Sequence, residues 1–84
     1  MKLCICVVRD SAAQSFMNPI FAHSKGSAIR SFRDEVNRNA SDNIMNKHPE
    51  DFELWFLGEF DTDNADMALV GDPESLIRGK DCKE

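Results

Sequence analysis

Tyrosine is absent from these 84 residues and tryptophan occurs once, as Trp55, so aromatic chemistry rests on one indole and six phenylalanines. Cysteine is sparse too, with three residues. Cys4 and Cys6 stand two apart in an expected strand, on one face but about 7 Å apart, too far for an easy disulfide. Cys82 lies in a polar stretch. An odd, uneven set fits reduced thiols in a reducing compartment better than a disulfide scaffold. Neither His23 nor His48 stands at ligand spacing from the cysteine pair, so no metal or other cofactor is expected. No run approaches the ~18 apolar residues of a membrane span. The opening residues 1–8 are too few before Arg9 and Asp10 for a signal peptide. A cytosolic protein without a membrane partner is the expectation.

Catalytic constellations are missing as well. Asp10, Glu35, Glu50 and Asp51 have no partner that sequence can locate, and neither histidine has a convincing nucleophile beside it. Ser11, Ser15 and Ser24 read as turn or cap residues. Cys4 and Cys6 sit in a buried strand, where a thiol is inert packing. The chain is read as a non-enzyme.

What is present is one small globular domain. At 42% hydrophobic and 30% charged, the composition is that of a folded chain rather than a disordered one. A domain of this length buries only roughly 60–65% of its unfolded surface, which leaves self-association as a further source of stability. The net charge is −5, but it is unevenly spread. Residues 1–48 hold seven basic and four acidic residues, a balance of +3, and residues 49–84 hold three basic and eleven acidic, a balance of −8. Such a two-ended chain can present one surface to a polyanion, or pair basic face to acidic face with its own copy.

Residues 2–9 read as a central strand, apolar on both faces. Residues 11–18 form a polar connection closed by the turn signal Asn18-Pro19, and residues 19–23 a second, short edge strand. Ser24 is a plausible N-cap for a helix over residues 25–39. Its core face is Ala28, Ile29, Phe32 and Val36, and Arg30–Asp34 and Asp34–Arg38 are i,i+4 pairs for its outer face. Residues 42–47 add one further turn. Residues 52–60 are a third strand, with Phe52, Leu54, Phe56, Gly58 and Phe60 on one side and Glu53, Trp55, Leu57 and Glu59 on the other. Residues 61–66 have turn composition and residues 67–70 return as a fourth strand. The Asp61, Asp63, Asp66 spacing superficially resembles a calcium loop but lacks its mid-loop glycine and terminal glutamate, so a hairpin is the better reading. Gly71-Asp72-Pro73 stops that strand. Residues 1–73 are expected to form the single domain, and residues 74–84 a polar tail with one helical turn around residues 75–77.

The expected fold is therefore α+β, order β-β-α-β-β: a small, mainly antiparallel sheet of about four strands with one main helix. One helix cannot cover both faces of four strands. The remaining apolar side chains, Trp55, Phe56 and Leu57, suit an oligomer interface, so a homo-oligomer, a dimer or larger, is expected. Lys25, Arg30, Arg33 and Arg38 on the helix, with Lys47 after it, can track phosphates. A solvated face laced by Asp34 and Glu35 explains them equally simply, and composition alone favours that. Trp55 and Phe21 can stack on bases or pack in a core or interface.

One combination is more specific. A-I-R-x-F-x-D-x-V-N, spanning Ala28 to Asn37, is followed by H-P-E-D-F-x-L-x-x-x-G-E-F-D, from His48 to Asp61, and preceded by Pro19-Ile20-Phe21-Ala22. Taken in order, these residues resemble the small nonstructural protein of gokushovirus-type microviruses, phages with circular single-stranded DNA. Trp55 stands where that family usually has another aromatic, Asn64-Ala65 where it often has Thr-Gly, and Phe56 where a polar residue is commoner. The resemblance implies single-stranded DNA binding and control of the switch from duplex replication to single-strand synthesis and packaging, in the cytoplasm of the bacterial host. It implies Arg30 most firmly, as the basic position inside the motif, with Lys25, Arg33 and Arg38 as helix neighbours. The alternative is an oligomeric module that docks on phage or host replication proteins without touching DNA.

Overall fold

In the computed structural model, which describes residues 1–84, the first strand, β1, runs over Lys2–Asp10. Its apolar residues on both faces make it the strand around which the sheet is built. β4, Phe52–Asp61, pairs antiparallel along one side of it. Two short strands, β2 (Ser15–Phe16) and β3 (Ile20–Ala22), share the other side. The remaining strand, β5 (Asp66–Arg78), pairs antiparallel with β4 and forms the far edge. The sheet is thus antiparallel throughout and has five strands rather than four. The extra one, β2, lies in the expected connection, where residues 11–14 turn the chain so that Arg9 faces Phe16.

Helix α1 spans Lys25–Asn37 and starts as its sequence requires. The Ser27 N–H donates to Ser24 Oγ at 3.0 Å and the Ser24 N–H donates back to Ser27 Oγ at 3.2 Å, a reciprocal cap on otherwise unpaired amides. Two asparagines close its other end. Asn43 Nδ2 donates to the Glu35 and Arg38 carbonyls at 2.8 and 2.9 Å, and Asn46 Nδ2 to the Val36 carbonyl at 3.0 Å. Asn43 also starts α2, Ile44–Lys47, by accepting from the Met45 N–H. A 3-10 turn at Pro49–Asp51 then leads into β4. No helix is long and apolar enough to cross a membrane.

Ala28, Phe32 and Val36 of α1 pack onto one face of the sheet, against Cys6, Phe52, Leu54 and Phe56, with Met45 and Cys82 completing the cluster. Leu54 and Val36 are fully buried, a contribution of roughly 1.5–3 kcal/mol for each such side chain. Phe56 therefore belongs to the helix-facing core, and the expectation that it forms an oligomer surface is corrected. It sits opposite Cys6 on β1, on the covered side.

The C-terminal segment is also corrected. Residues 75–77 are strand, not a helical turn, because Trp55 pairs with Ser75 and Leu54 with Ile77 along β4. Residues 70–73 bulge out of the ladder between Leu69 and Glu74, so Pro73 interrupts the pairing without ending the strand. A last helical turn, α3 (Gly79–Cys82), carries Cys82 into the core. Gly79 permits this, since a Cβ there would collide with the Pro49 carbonyl oxygen. The stretch expected as a polar tail is part of the domain.

One irregularity decides what each face of the sheet shows. Cys6 pairs with Phe56 and Ile5 with Gly58, so Leu57 is an additional residue in β4. Gly58 has φ of 156° and a Cβ on it would strike the Ala68 carbonyl oxygen and lie 2.8 Å from Leu69 Cα. Beyond this bulge the alternation is shifted by one. Phe60, expected beside Phe56, stands opposite Leu3 on the uncovered face, and Glu59 and Asp61 stand opposite Cys4 and Lys2 on the helix side.

Candidate functional site

The cations of α1 divide into two groups. Lys25 is engaged: its Nζ lies 3.1 Å from Glu74 Oε2 and 4.4 Å from the centre of the Phe56 ring. Arg38 is engaged too, its Nη2 lying 2.7 Å from Glu35 Oε1 with Nε bonding both carboxylate oxygens. Those bonds hold the Glu35 carboxyl below its ordinary pKa and the Arg38 guanidinium above its own. The pairs expected through Asp34 are replaced by this i,i+3 contact. Arg30 and Arg33 are exposed and form no ion pair, and neither does Lys47 at the end of α2.

The C-terminal segment supplies further cations, which the sequence alone assigns to a free tail. Asn37 clamps it, with Nδ2 donating to the Cys82 carbonyl at 3.0 Å and Oδ1 accepting from the Glu84 N–H at 2.8 Å. Lys83 lies between those two anchors and Lys80 within α3. Arg33 approaches Cys82 closely enough to oppose the upward push that burial gives its thiol pKa. Arg78 precedes α3. The clamp and the Arg33–Cys82 contact thus dock the segment bearing Lys80 and Lys83 against α1, together with Asp81 and Glu84. The one sequence signal for this docking is the apolar character of Leu76, Ile77 and Cys82 in a stretch otherwise polar.

Five of the fifteen acidic residues form a cluster of their own. Residues 59–72, the hairpin formed by the ends of β4 and β5, hold Glu59, Asp61, Asp63, Asp66 and Asp72 and no lysine or arginine. Its tip is held by side chains: the Asp63 N–H donates to Asp61 Oδ1 and the Asp66 N–H to Asn64 Oδ1, each at 2.9 Å. The chain's own amino group lies 3.0 Å from Asp63 Oδ2. The hairpin reading of these aspartates holds.

Trp55 stands on the side of the sheet away from α1, opposite Val7, half-buried, with its Nε1 enclosed and unpartnered. Leu57, also half-buried, is at the bulge. The six residues expected to contact nucleic acid do not form one patch: Lys25 and Arg38 are neutralised, and Trp55 and the helix lie on opposite faces. Elsewhere, the turn at Pro49–Asp51 brings ligand atoms of His48, Glu50 and Asp51 within 4.8 Å of one another. His48 Nδ1 is 3.7 Å from Glu50 Oε1, and the Asp51 carbonyl accepts from Ser11, so these contacts are those of an exposed turn.

Residues 3–82 match the profile of a protein family described as Phage ORF5 protein. Among curated proteins, the chain is similar to Protein ORF5 of Chlamydia phage 1, with 41% identity over 60 residues. That match covers 69% of this chain and spans 62% of the relative's length. No solved structure matches the chain.

Proposed function

Because the chain belongs to the Phage ORF5 protein family and is a small phage protein of the microvirus group, we propose that it binds single-stranded DNA. On this reading it controls the switch from duplex replication to single-strand genome synthesis and packaging in the host cytoplasm. The observation that carries the reading is the pair of exposed, unpaired cations Arg30 and Arg33 on α1, against which the Asn37 clamp docks the segment bearing Lys80 and Lys83. Each phosphate neutralised by such a cation releases counterions, which drives binding without base recognition. The hairpin's five acids account for the net charge of −5, and the other residues hold ten acids against ten cations, so the surface outside the hairpin is balanced rather than repulsive.

Titration of labelled single-stranded and duplex DNA at several salt concentrations tests it. Single-strand preference should weaken with salt, and Arg30→Ala with Arg33→Ala should reduce the salt slope by about 0.7 for each phosphate left without its cation. A well-folded protein that binds neither form at low salt would sink the reading.

A second reading has its own support. β5 leaves an edge unpaired, and Met67, Leu69 and Val70 are exposed along it. Such an edge suits strand pairing with another chain, and on this reading the protein is an oligomeric module docking on phage or host replication proteins. Association that survives high salt and fails with Leu69→Lys favours it.

A further inference from the structure

The sheet face opposite α1 has a composition unlike the rest of the chain. Its rows follow from the register. Phe16, Arg9, Glu53 and Arg78 form the first, Val7, Trp55 and Ser75 the second, and Phe21, Ile5, Gly58 and Leu69 the third. Leu3, Phe60 and Met67 form the fourth. Four aromatic rings thus share one surface. Phe16 and Phe21 are 55% and 52% exposed, whereas Ile5 and Val7 between the strands are buried. Phe21 is held edge-on by Phe60, with ring centres 5.5 Å apart, and Phe16 lies under the Arg9 guanidinium, 5.7 Å from its centre. The exposed rings are therefore pre-positioned.

Its charge is uneven. In a chain of net charge −5, these rows contain Arg9 and Arg78 against Glu53, while Glu50 and Asp51 line the depression at the end of the face beside the two arginines. The Glu53 carboxylate accepts from Ser75 and forms no ion pair with either arginine. The bulge at Gly58 produces this sorting: without it, Glu59 and Asp61 would stand on this face and Phe60 on the other.

We propose that this face is the base-stacking platform for single-stranded DNA, with bases on Phe16 and Phe21 and phosphates at Arg9 and Arg78. This inference rests on the DNA-binding reading and deepens it. Stacking on aromatic side chains is tolerant of sequence, because every base offers a π face. Arg78 ends β5 directly before α3, so the platform adjoins the segment that carries Lys80 and Lys83. A second copy of the chain is the competing occupant. A polyanion supplies Arg9 and Arg78 with counter-charges that the largely apolar rows of the same face on a second copy do not, so the nucleic acid is favoured.

The test uses the full chain with oligothymidine and an abasic deoxyribose-phosphate strand of the same length, read by DNA anisotropy and by fluorescence of Trp55, the single tryptophan. Oligothymidine should quench Trp55, and the abasic strand should bind at least about tenfold more weakly. Phe16→Ala with Phe21→Ala should lose about tenfold or more in affinity for oligothymidine and little for the abasic strand. Both rings are more than half exposed, so the variant should keep the parent thermal transition, and Phe16→Leu with Phe21→Leu serves as a more conservative check. Parent-like binding by both variants, with loss in Arg30→Ala/Arg33→Ala, would overturn the platform and leave DNA binding by the helix standing. A parent oligomer that these phenylalanine changes dissociate would assign the face to a second copy and overturn the proposal. Absence of any binding by the parent protein at low salt would overturn both readings.

Discussion

The Phe60 ring meets Phe21 edge-on at 64°, from two strands that flank β1 on opposite sides. That packing exists because β4 gains a residue at Leu57 and turns over at Gly58. No other residue fits there: a methyl group would strike the Ala68 carbonyl oxygen, and φ is 156°. Gly58→Ala should destabilise the fold by about 3 kcal/mol or more. Chemical denaturation would measure this, and a loss under about 1 kcal/mol would show that β5 is not held against β4 as described.

Asn43 is the buried polar side chain of the domain and serves two helices at once. It donates to the Glu35 and Arg38 carbonyls and accepts from Met45. Asn43→Ala leaves those groups without partners in a site closed to water. A loss of about 2–3 kcal/mol is expected, read as a fall in the denaturation midpoint. By contrast Arg38→Ala, which removes only a surface pair with Glu35, should change stability by less than about 0.5 kcal/mol.

These differences track what sequence can carry. Ser24, the Ala28, Phe32 and Val36 face, β1 and β4 are legible because caps and periodicity are local. The face of Phe60 is not, since a two-residue period assumes a ladder without insertions. Residues 75–77 suggest a helical turn because Pro73 marks a break, but pairing with Trp55 and Leu54 overrides that local signal. The engagement of Lys25 depends on Glu74, forty-nine positions away. Arg30 and Arg33 stand out as exposed cations from helical periodicity alone. Lys80, Lys83, Arg9 and Phe16 do not stand out as site residues, because the strands and clamp that place them are long-range.

The C-terminal segment therefore has a structural role that truncation will expose. A chain ending at Arg78 keeps the β5 pairing but loses Cys82 from the core and both Asn37 bonds. It should lose about 2 kcal/mol or more. A chain ending at Pro73 also loses the strand that covers Leu54 and Trp55, and should show no cooperative thermal transition. Parent-like melting of the shorter chain would restore the view of these residues as a tail.

Alkaline pH offers the last test, through a thiol. Cys6 is fully buried between β4 and α1, and burial is the main cause that pushes its pKa from 9.0 to about 11, with Cys4 adding and Lys25 opposing. The folded state thus holds the proton more tightly than the unfolded one. The resulting stability is complete below pH 9, where both states are protonated, and is lost progressively as pH rises towards 11 and the unfolded chain ionises first. Urea denaturation of the reduced protein across that range should show a falling midpoint. Cys6→Ala, though less stable at neutral pH because it leaves a small cavity, should show a shallower fall over the same interval. Equal slopes in parent and variant would mean that Cys6 is not closed off from water by Leu54 and Val36.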